Sequence, residues 1–360
     1  MARALRTTSE DSSKYYEWVW KSNPNPWSES EPAVWSHYSD VENLIIEQAF
    51  ADEEPTAVFS NYYIDFKSSI QVSKIDHNKK RPVKRVVRKK EDKSRREARF
   101  LDLPVSYGPS FAGEYGWISP FVRETKEYLK LKENEEPSKD RKLIPMLVEK
   151  AARGIIEESK YFKKKWEGER MANTLREKEN QDMREVWKCC AYLYTTDSFL
   201  YKTLNATMRF VGDKEHEDVW RSKICTLGPY CLLLWDDPFN RTLTINKTLY
   251  RGANLLPEMI AKYEDLKDTG DYGSFQAFTS CSRNRKKAEE FGNCLFILQI
   301  EFAFIADVSQ LSEYSGEEEE LITPGVSFRV HNVELDRNTN QRTIDLKLRQ
   351  RFSGEYGTFL

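Results

Sequence analysis

The segment Gly316–Gly325 reads Gly-Glu-Glu-Glu-Glu-Leu-Ile-Thr-Pro-Gly, so four consecutive carboxylates run directly into an apolar pair and a Pro-Gly stop. This pattern predicts a turn that leads into a strand. Side chains alternate between the faces of a strand, so Glu318 and Glu320 are predicted to share one face and Glu319 to lie on the other. Two carboxylates on one face suit a developing positive charge or a bound cation, although a solvated acidic loop has the same composition.

Two further motifs occur upstream, in a region of short strand-like runs. Residues 249–252 read Leu-Tyr-Arg-Gly, which places an arginine at the end of a predicted strand and a glycine after it. Residues 278–282 read Phe-Thr-Ser-Cys-Ser, a predicted strand that ends in hydroxyl side chains before a short helix. Each motif alone occurs by chance in many chains. The order arginine, serine, glutamate is much more informative than any one of them.

The ordered trio resembles the R-S-E class of ADP-ribosyltransferases, and in particular the arginine-specific mono-ADP-ribosyltransferases of eukaryotes and bacterial toxins. The resemblance covers roughly residues 143–348 and includes the helical segment from Tyr201 to Arg209. It implies transfer of ADP-ribose from NAD, the co-substrate, to an arginine of a protein acceptor, with inversion at the anomeric carbon and without a metal. Cys281 stands where the family usually has a threonine.

The resemblance also implies roles for the residues of the first two motifs. Arg251 would contact the NAD phosphates, because a guanidinium matches the geometry of a pyrophosphate. Gly252 would let the backbone approach the nicotinamide amide, and Ser280 would hold the catalytic glutamate and the nicotinamide ribose. Without the resemblance, Arg251 suits a salt bridge at a strand end and Gly252 suits a turn. Ser280 suits a helix N-cap, a role for which Ser282 is better placed. The implied cofactor-binding residues are Tyr250, Arg251, Gly252, Ser280 and Ser282.

The third motif supplies the predicted catalytic carboxylate, Glu320. Cleavage of the N-glycosidic bond of NAD develops an oxocarbenium ion, which a carboxylate bonded to the ribose 2′-hydroxyl stabilises. Glu318 would orient the acceptor guanidinium, and Tyr314 would lie on the acceptor-recognition loop. Four consecutive glutamates leave the register open. Glu320 is chosen because the family places its catalytic glutamate immediately before an apolar pair, here Leu321-Ile322.

Residues 15–88 alternate aromatic and polar side chains between turn clusters, which predicts a small, strongly bent antiparallel sheet. A helix is predicted over Val41–Phe50, with Ser39 or Asp40 as its cap, because apolar residues recur there at helical spacing. The predicted strands are Tyr16–Trp20, Val58–Phe59, Tyr62–Phe66 and Val83–Val87.

The same segment resembles the WWE domain over essentially its whole length. Its matching pieces are Trp18-Val19-Trp20, Trp35-Ser36-His37-Tyr38, Glu47, Tyr62-Tyr63-Ile64-Asp65-Phe66, Gln71 and Arg81-Pro82-Val83-Lys84-Arg85.

The WWE resemblance implies poly(ADP-ribose), through its iso-ADP-ribose unit, or an ADP-ribosylated protein as a partner. The implied contacts are an aromatic face for the adenine, an amide as its hydrogen-bond partner and a guanidinium for the phosphates. The residues at these positions are Tyr62, Gln71 and Arg81, with Trp20 as a fourth. The alternative is a structural or protein-binding copy of the domain, in which these side chains are core and rim.

The chain is therefore predicted to be α+β, with a small WWE half-barrel of one sheet and one helix at residues 12–90. A basic, irregular linker follows at 91–142, and an ADP-ribosyltransferase domain at 143–350. In this last domain, helical apolar spacing up to about Asp237 indicates a helical lobe, with a cap predicted at Asp197. Short strand-like runs after it indicate a split β-sandwich that binds NAD.

The composition is that of an ordinary soluble globular protein, with 39% hydrophobic and 32% charged residues among 360. The net charge of −2 argues against a dedicated nucleic-acid binder. Residues 79–99 nevertheless carry twelve Lys/Arg against three Asp/Glu. This basic run is consistent with a nuclear-localisation or phosphate-binding patch, and equally with a solvated last strand and linker. No secretory signal, membrane span or zinc-type cysteine spacing occurs, so we expect an intracellular protein of the cytoplasm or nucleus with free thiols.

Two other functions fit the same motifs. One is a poly(ADP-ribose)-reading adaptor with an inactive transferase-like domain, against which the intact Arg251, Ser280 and Glu320 argue. The other is an NAD glycohydrolase, in which water replaces the acceptor. A poly(ADP-ribose) polymerase is disfavoured because that class uses a histidine where Arg251 stands, and transfer to nucleic acid is not favoured by the acid pair.

Overall fold

The computed structural model of the chain describes residues 14–59, 61–89, 118–132, 134–239, 244–312, 314–337 and 341–350. Residues 91–117 of the predicted linker lie outside these ranges, as does the part of the basic run beyond Lys89. In the described part, the α+β fold predicted from the sequence, a small sheet with one helix followed by a larger helix-and-sheet unit, is confirmed.

The N-terminal unit is a six-stranded sheet with one helix packed on it. Its helix α1 (Asp40–Ala51) starts with a capping box, in which Ser39 Oγ accepts from Glu42 N–H and the Glu42 carboxylate accepts from Ser39 N–H. The core beneath it consists of Trp18, Tyr38, Ile46, Ala57, Phe59, Ile64 and Val83. In the order β2-β1-β6-β5-β4-β3, the strands are β1 (Lys14–Lys21), β2 (Trp35–His37), β3 (Thr56–Phe59), β4 (Tyr62–Asp65), β5 (Ile70–Ser73) and β6 (Lys80–Lys89).

Seven helices form a helical lobe with a largely apolar core. The side chain of Glu158 is buried in it and accepts from Lys223 and Thr226 of the last helix. The helices are α2 (Pro120–Tyr128), α3 (Ile144–Tyr161), α4 (Lys165–Arg176), α5 (Met183–Thr195), α6 (Phe199–Arg209), α7 (Glu217–Ser222) and α8 (Ile224–Trp235).

The rest of the described residues contain two helices and an eight-stranded sheet. Its order is β11-β12-β9-β7-β10-β14-β13-β8, and β10 and β14 are parallel neighbours while the other pairs are antiparallel. The elements are β7 (Thr244–Ala253), α9 (Pro257–Thr269), β8 (Tyr272–Phe275), β9 (Thr279–Ser282), α10 (Arg285–Glu289), β10 (Cys294–Ala303), β11 (Ile305–Asp307), β12 (Glu319–Ile322), β13 (Val326–Asp336) and β14 (Gln341–Gln350).

Two helix caps differ from the sequence predictions. Helix α6 is capped by Ser198, whose Oγ accepts from Leu200 N–H, and not by Asp197, whose N–H donates to Asp40 instead. Helix α10 is capped by Asn284 rather than Ser282. In both places the neighbouring polar residue is engaged in a tertiary contact, which local spacing does not reveal.

The N-terminal unit packs directly on the helical lobe. Val41 of α1 belongs to the apolar core of that lobe, and the rings of Phe59 and Trp166 meet with centroids 6.0 Å apart. Close to this contact, the buried side chain of Glu167 accepts from Phe199 N–H at 3.3 Å and from Lys164 Nζ at 2.9 Å. The N-terminal unit and the helical lobe therefore share a packed interface.

The Glu167 carboxyl makes stability depend on pH. Burial raises its pKa above the ordinary value of 4.5, and Glu42 across the contact acts in the same direction, although Lys164 lowers it. As the pH falls from above the raised pKa towards the ordinary value, the folded state takes up a proton that the unfolded state does not, so the free energy of unfolding rises. Glu167→Gln should remove this contribution, which urea unfolding at about pH 5 and about pH 8 would measure. Glu169→Gln, on the same helix and 48% exposed, is the matched control; an equal change in both variants would contradict the assignment.

No helix among the residues that the structure describes is long and apolar enough to cross a membrane. All six cysteines are free, as predicted.

Candidate active site

Strand β12 carries the carboxylates of the acidic segment, and its pairing fixes which way each of them points. In the antiparallel register of β12 and β9, Glu319 lies opposite Ser282 and Glu320 opposite Cys281. Directly opposed residues project from the same face of a sheet. Glu319 therefore shares a face with Ser282, and with Ser280 two residues away, whereas Glu320 shares the other face with Cys281.

A pocket lies on the face that carries Glu319. It has about 290 Å³ of open space, including solvent at its mouth, and its lining includes Tyr250, Gly252, Ser280, Ser282, Glu317 and Glu319. Residues of the segment that contains α10 close one side, and a Cβ built on Gly252 would lie 2.2 Å from the carbonyl oxygens of Ala288 and Phe291. Only glycine permits this approach, so the wall of the pocket depends on Gly252.

Glu320 and Glu318, the two carboxylates predicted for the site, do not lie in this pocket. Residues 315–317 form a 3₁₀ turn, Glu318 has φ of 47°, in the left-handed region, and the strand starts at Glu319. The predicted alternation holds, since Glu318 and Glu320 both lie near Arg283 and Glu319 lies on the other face; Glu320 was chosen from its position before the apolar pair, and the pocket lies on the Glu319 face. Glu318 is 46% exposed, near Arg283.

The buried carboxylate of Glu320 is held in an ion cluster on the opposite face. Lys247 Nζ from β7 contacts both of its oxygens, and Arg283 Nη1 lies 3.2 Å from Oε1. Arg283 Nη1 also donates to Asp307 at 2.7 Å. Glu320 is 1% exposed, so two cations compensate the charge of a carboxylate that is shielded from water.

Arg251 and Cys281 support the wall of the pocket. The buried guanidinium of Arg251 donates from Nη1 to the carbonyl oxygen of Ser280 at 2.6 Å, which ties β7 to β9. Burial raises the pKa of the Cys281 thiol to about 12, although Arg251 lowers it, so Cys281 is a neutral thiol at pH 7. Its side chain projects from the face away from Ser280, opposite Glu320, although the residue itself is among those that line the pocket.

Ser282 connects this wall to the acidic segment. Its Oγ donates to the carbonyl oxygen of Glu317 at 2.6 Å and accepts from Asn284 N–H at 2.9 Å. Arg283 N–H in turn donates to the carbonyl oxygen of Glu318 at 3.2 Å. These backbone contacts hold the turn before β12 against the end of β9.

Two hydrogen bonds through Tyr194 connect helix α6 to the backbone immediately before β9, the strand that carries Ser280. Asn205 Nδ2 donates to Tyr194 Oη at 2.7 Å, and the Tyr194 hydroxyl donates to the carbonyl oxygen of Phe278 at 3.3 Å. Tyr201, Asn205 and Arg209 recur every four residues on this helix, so they follow one another along one face.

Tyr314, the predicted acceptor-loop residue, faces the N-terminal unit. It is buried, and its hydroxyl donates to Asp40 Oδ2 at 2.8 Å. The backbone of Tyr314 belongs to the turn that carries Glu317, whose N–H donates to the Tyr314 carbonyl oxygen at 3.0 Å.

A model of the NAD:arginine ADP-ribosyltransferase family matches residues 147–353, which is more than half of the chain. The chain belongs to this family. It is thus an NAD-dependent ADP-ribosyltransferase by family. A WWE domain model matches residues 16–85, so the transferase is preceded by a WWE domain. No curated protein matches the chain.

Several solved structures are similar to this transferase. The ADP-ribosyltransferase HopU1 of Pseudomonas syringae pv. Tomato is 18% identical with a TM-score of 0.40, and the match covers 49% of this chain and 87% of that one. The type III effector XopAI from Xanthomonas axonopodis pv. citri is 13% identical with a TM-score of 0.40, covering 63% and 97%. C3stau2 from S. aureus, solved with NAD, is 15% identical with a TM-score of 0.34, covering 46% and 87%.

In the WWE domain, the four predicted ligand residues project from one face of the sheet. Gln71 lies opposite both Ile64 and Arg81, and Trp20 lies opposite Val83, so alternation places Tyr62, Gln71, Arg81 and Trp20 on the same side. Gln71 is buried and its Oε1 accepts from the Tyr38 hydroxyl at 2.6 Å.

Arg81 and Tyr62, on either side of Gln71 in this row, differ in how they are held. Arg81 Nη1 donates to the carbonyl oxygens of Lys21 and Asn23, at 3.0 and 2.8 Å, and its guanidinium lies 5.3 Å from the Trp20 ring centroid. Tyr62 is 39% exposed and presents an aromatic surface to solvent. In the core beneath them, Trp18 Nε1 donates to Glu47 at 2.8 Å.

Proposed function

We propose that this transferase moves a single ADP-ribose from NAD to an arginine side chain of a protein, and that Glu319, rather than Glu320, is its catalytic carboxylate. One observation carries the proposal: Glu319, Ser280, Ser282 and Gly252 line one pocket, and Glu317 lines it with them. Such a convergence of polar groups on a concave site favours a catalytic role over a solvated acidic loop.

The chemistry needs a carboxylate at the point where positive charge develops. As the bond between nicotinamide and ribose breaks, the ribose carbon acquires oxocarbenium character, and a preorganised carboxylate stabilises it. Glu319 is 1% exposed, so its charge acts in a site with little water to screen it. In this assignment Ser280 holds the ribose, and Arg251 and Ser282 position the strands around it. Contact of Arg251 with the NAD phosphates stays a prediction from the R-S-E resemblance.

Arginine as the acceptor is supported by the second carboxylate of the pocket. Glu317 lies two residues before Glu319, and its side chain is 5% exposed. A carboxylate binds a guanidinium through paired N–H···O bonds, and it also accepts the proton that the attacking nitrogen releases. Water as the acceptor also releases a proton, but it needs no partner for a guanidinium, so a second buried carboxylate favours transfer over NAD hydrolysis.

The assay that tests this function follows labelled NAD in the presence of agmatine, a small guanidine. Labelled agmatine is the expected product. Free ADP-ribose with no labelled agmatine would instead identify a glycohydrolase. Consumption of no NAD by the folded protein would favour the inactive adaptor that reads poly(ADP-ribose).

For the WWE domain, we propose recognition of the iso-ADP-ribose unit of poly(ADP-ribose) by the row that contains Tyr62 and Gln71. Tyr62→Ala is expected to weaken binding about tenfold or more, because stacking of a base on an aromatic ring is lost. Isothermal titration with iso-ADP-ribose would measure it. Tyr63→Ala is the matched control, since the adjacent tyrosine projects from the opposite face. Equal losses in the two variants, or no binding by the wild type, would contradict the proposal.

A further inference from the structure

The carboxylate of Asp40 lies where three parts of the molecule meet. Asp40 is the first residue of α1 in the WWE domain and is 6% exposed. Its Oδ2 accepts from the Tyr314 hydroxyl at 2.8 Å and from Asp197 N–H at 2.7 Å. A charged acceptor with two donors in a buried site makes strong, directional contacts.

One of these donors belongs to the turn that presents the proposed acceptor carboxylate. Tyr314 N–H donates to Ser312 Oγ at 3.1 Å, and the Tyr314 carbonyl oxygen accepts from Glu317 N–H at 3.0 Å. Anchoring the Tyr314 side chain therefore restricts the backbone that carries Glu317. Glu319 is held differently, by strand pairing with β9 on one side and β11 on the other.

The other donor lies at the start of α6. Asp197 immediately precedes Ser198, the N-cap of this helix, and Asn205 on α6 is tied through Tyr194 to the serine strand. The same carboxylate oxygen thus fixes the acidic turn and the first turn of a helix beside β9.

We propose that Asp40 is a positioning residue of the transferase site, supplied by the WWE domain, and that it sets the geometry for the acceptor rather than for NAD cleavage. This inference rests on the proposed arginine transfer, because it assigns Glu317 to the acceptor. It makes the WWE domain part of the transferase site as well as a binding module.

A double-mutant cycle on the full chain tests the proposal. Asp40→Ala and Tyr314→Phe should each lower kcat/KM for agmatine about tenfold, the usual cost of a hydrogen bond to a charged group. NAD hydrolysis should change less than about twofold, and the double variant should lose no more than either single one. Asp40→Asn keeps an acceptor oxygen and should restore part of the loss. Asp52→Ala makes the same charge change about 18 Å away at the other end of α1 and should leave transfer unchanged.

Hydrogen exchange provides a readout that does not require activity. The amides of Ser312, Tyr314 and Glu317 should exchange faster in Asp40→Ala and Tyr314→Phe than in wild type or Asp52→Ala. If the wild type transfers nothing to agmatine, the proposed function fails, and exchange alone decides whether Asp40 holds the turn. Unchanged exchange, additive losses in the double variant, or equal losses of transfer and hydrolysis would each overturn the inference.

Discussion

Replacing Glu319 with glutamine is expected to lower both ADP-ribose transfer and NAD hydrolysis by about 10²–10³-fold. Both reactions pass through the same oxocarbenium-like ribose, so a group that stabilises this charge is needed whether the acceptor is a guanidine or water. Glutamine keeps the size of the side chain and can still occupy the position paired with Ser282, on the same face of the sheet, but it has no negative charge. Steady-state rates for labelled agmatine and for free ADP-ribose, measured on the same preparation, would give both numbers.

Glu320→Gln is the matched control, because it makes the same chemical change one residue further along β12. The Glu320 carboxylate is paired with Lys247 and Arg283 on the face away from the pocket. We expect the free energy of unfolding to fall by about 3–5 kcal/mol when this buried charge is removed. The turnover per folded molecule should stay within about tenfold of the wild type. If instead Glu320→Gln abolishes turnover and Glu319→Gln does not, the register predicted from the sequence is the functional one.

The difference between these two glutamates shows where sequence reasoning succeeds and where it stops. The strands around Arg251, the serine motif and the acidic segment were predictable, because short apolar runs between turn residues indicate strands directly. The helix of the WWE domain was equally accessible from apolar spacing and from its cap, predicted at Ser39 or Asp40 and found at Ser39. Alternation also separated Glu319 from Glu320, but it did not reveal which of the two faces carries the pocket, since that depends on how β12 pairs with β9.

Contacts between residues far apart in the chain are the second feature that could not be predicted from the local sequence. Nothing in the local sequence around Asp197 indicates that its N–H donates to Asp40, 157 residues earlier, and the prediction of Asp197 as a helix cap was therefore wrong. Likewise, Tyr272–Phe275 and Thr279–Ser282 follow closely in the chain, yet they lie in β8 at one edge of the sheet and in β9 near the other. Pairing partners far apart in the chain decide both outcomes.

The second large effect is expected for Glu317→Gln, which should lower transfer to agmatine about 10²-fold and leave NAD hydrolysis near its wild-type rate. The Glu317 carboxylate is assigned to the acceptor alone, so its loss removes guanidinium binding and proton acceptance but not stabilisation of the ribose. The backbone should be unaffected, because Ser282 Oγ bonds the Glu317 carbonyl oxygen and not its carboxylate. The ratio of labelled agmatine to free ADP-ribose is the decisive measurement.

Glu318→Gln is the control for this prediction, since its carboxylate is 46% exposed and lies 3.6 Å from Arg283. An exposed ion pair of this length contributes little, so transfer should change less than about twofold. A loss of transfer in Glu318→Gln with normal transfer in Glu317→Gln would show that the turn rearranges when the acceptor binds. Equal losses of transfer and hydrolysis in Glu317→Gln would place this residue at the ribose with Glu319. The selective loss that we expect would explain why the pocket holds two carboxylates, one for the bond that breaks and one for the bond that forms.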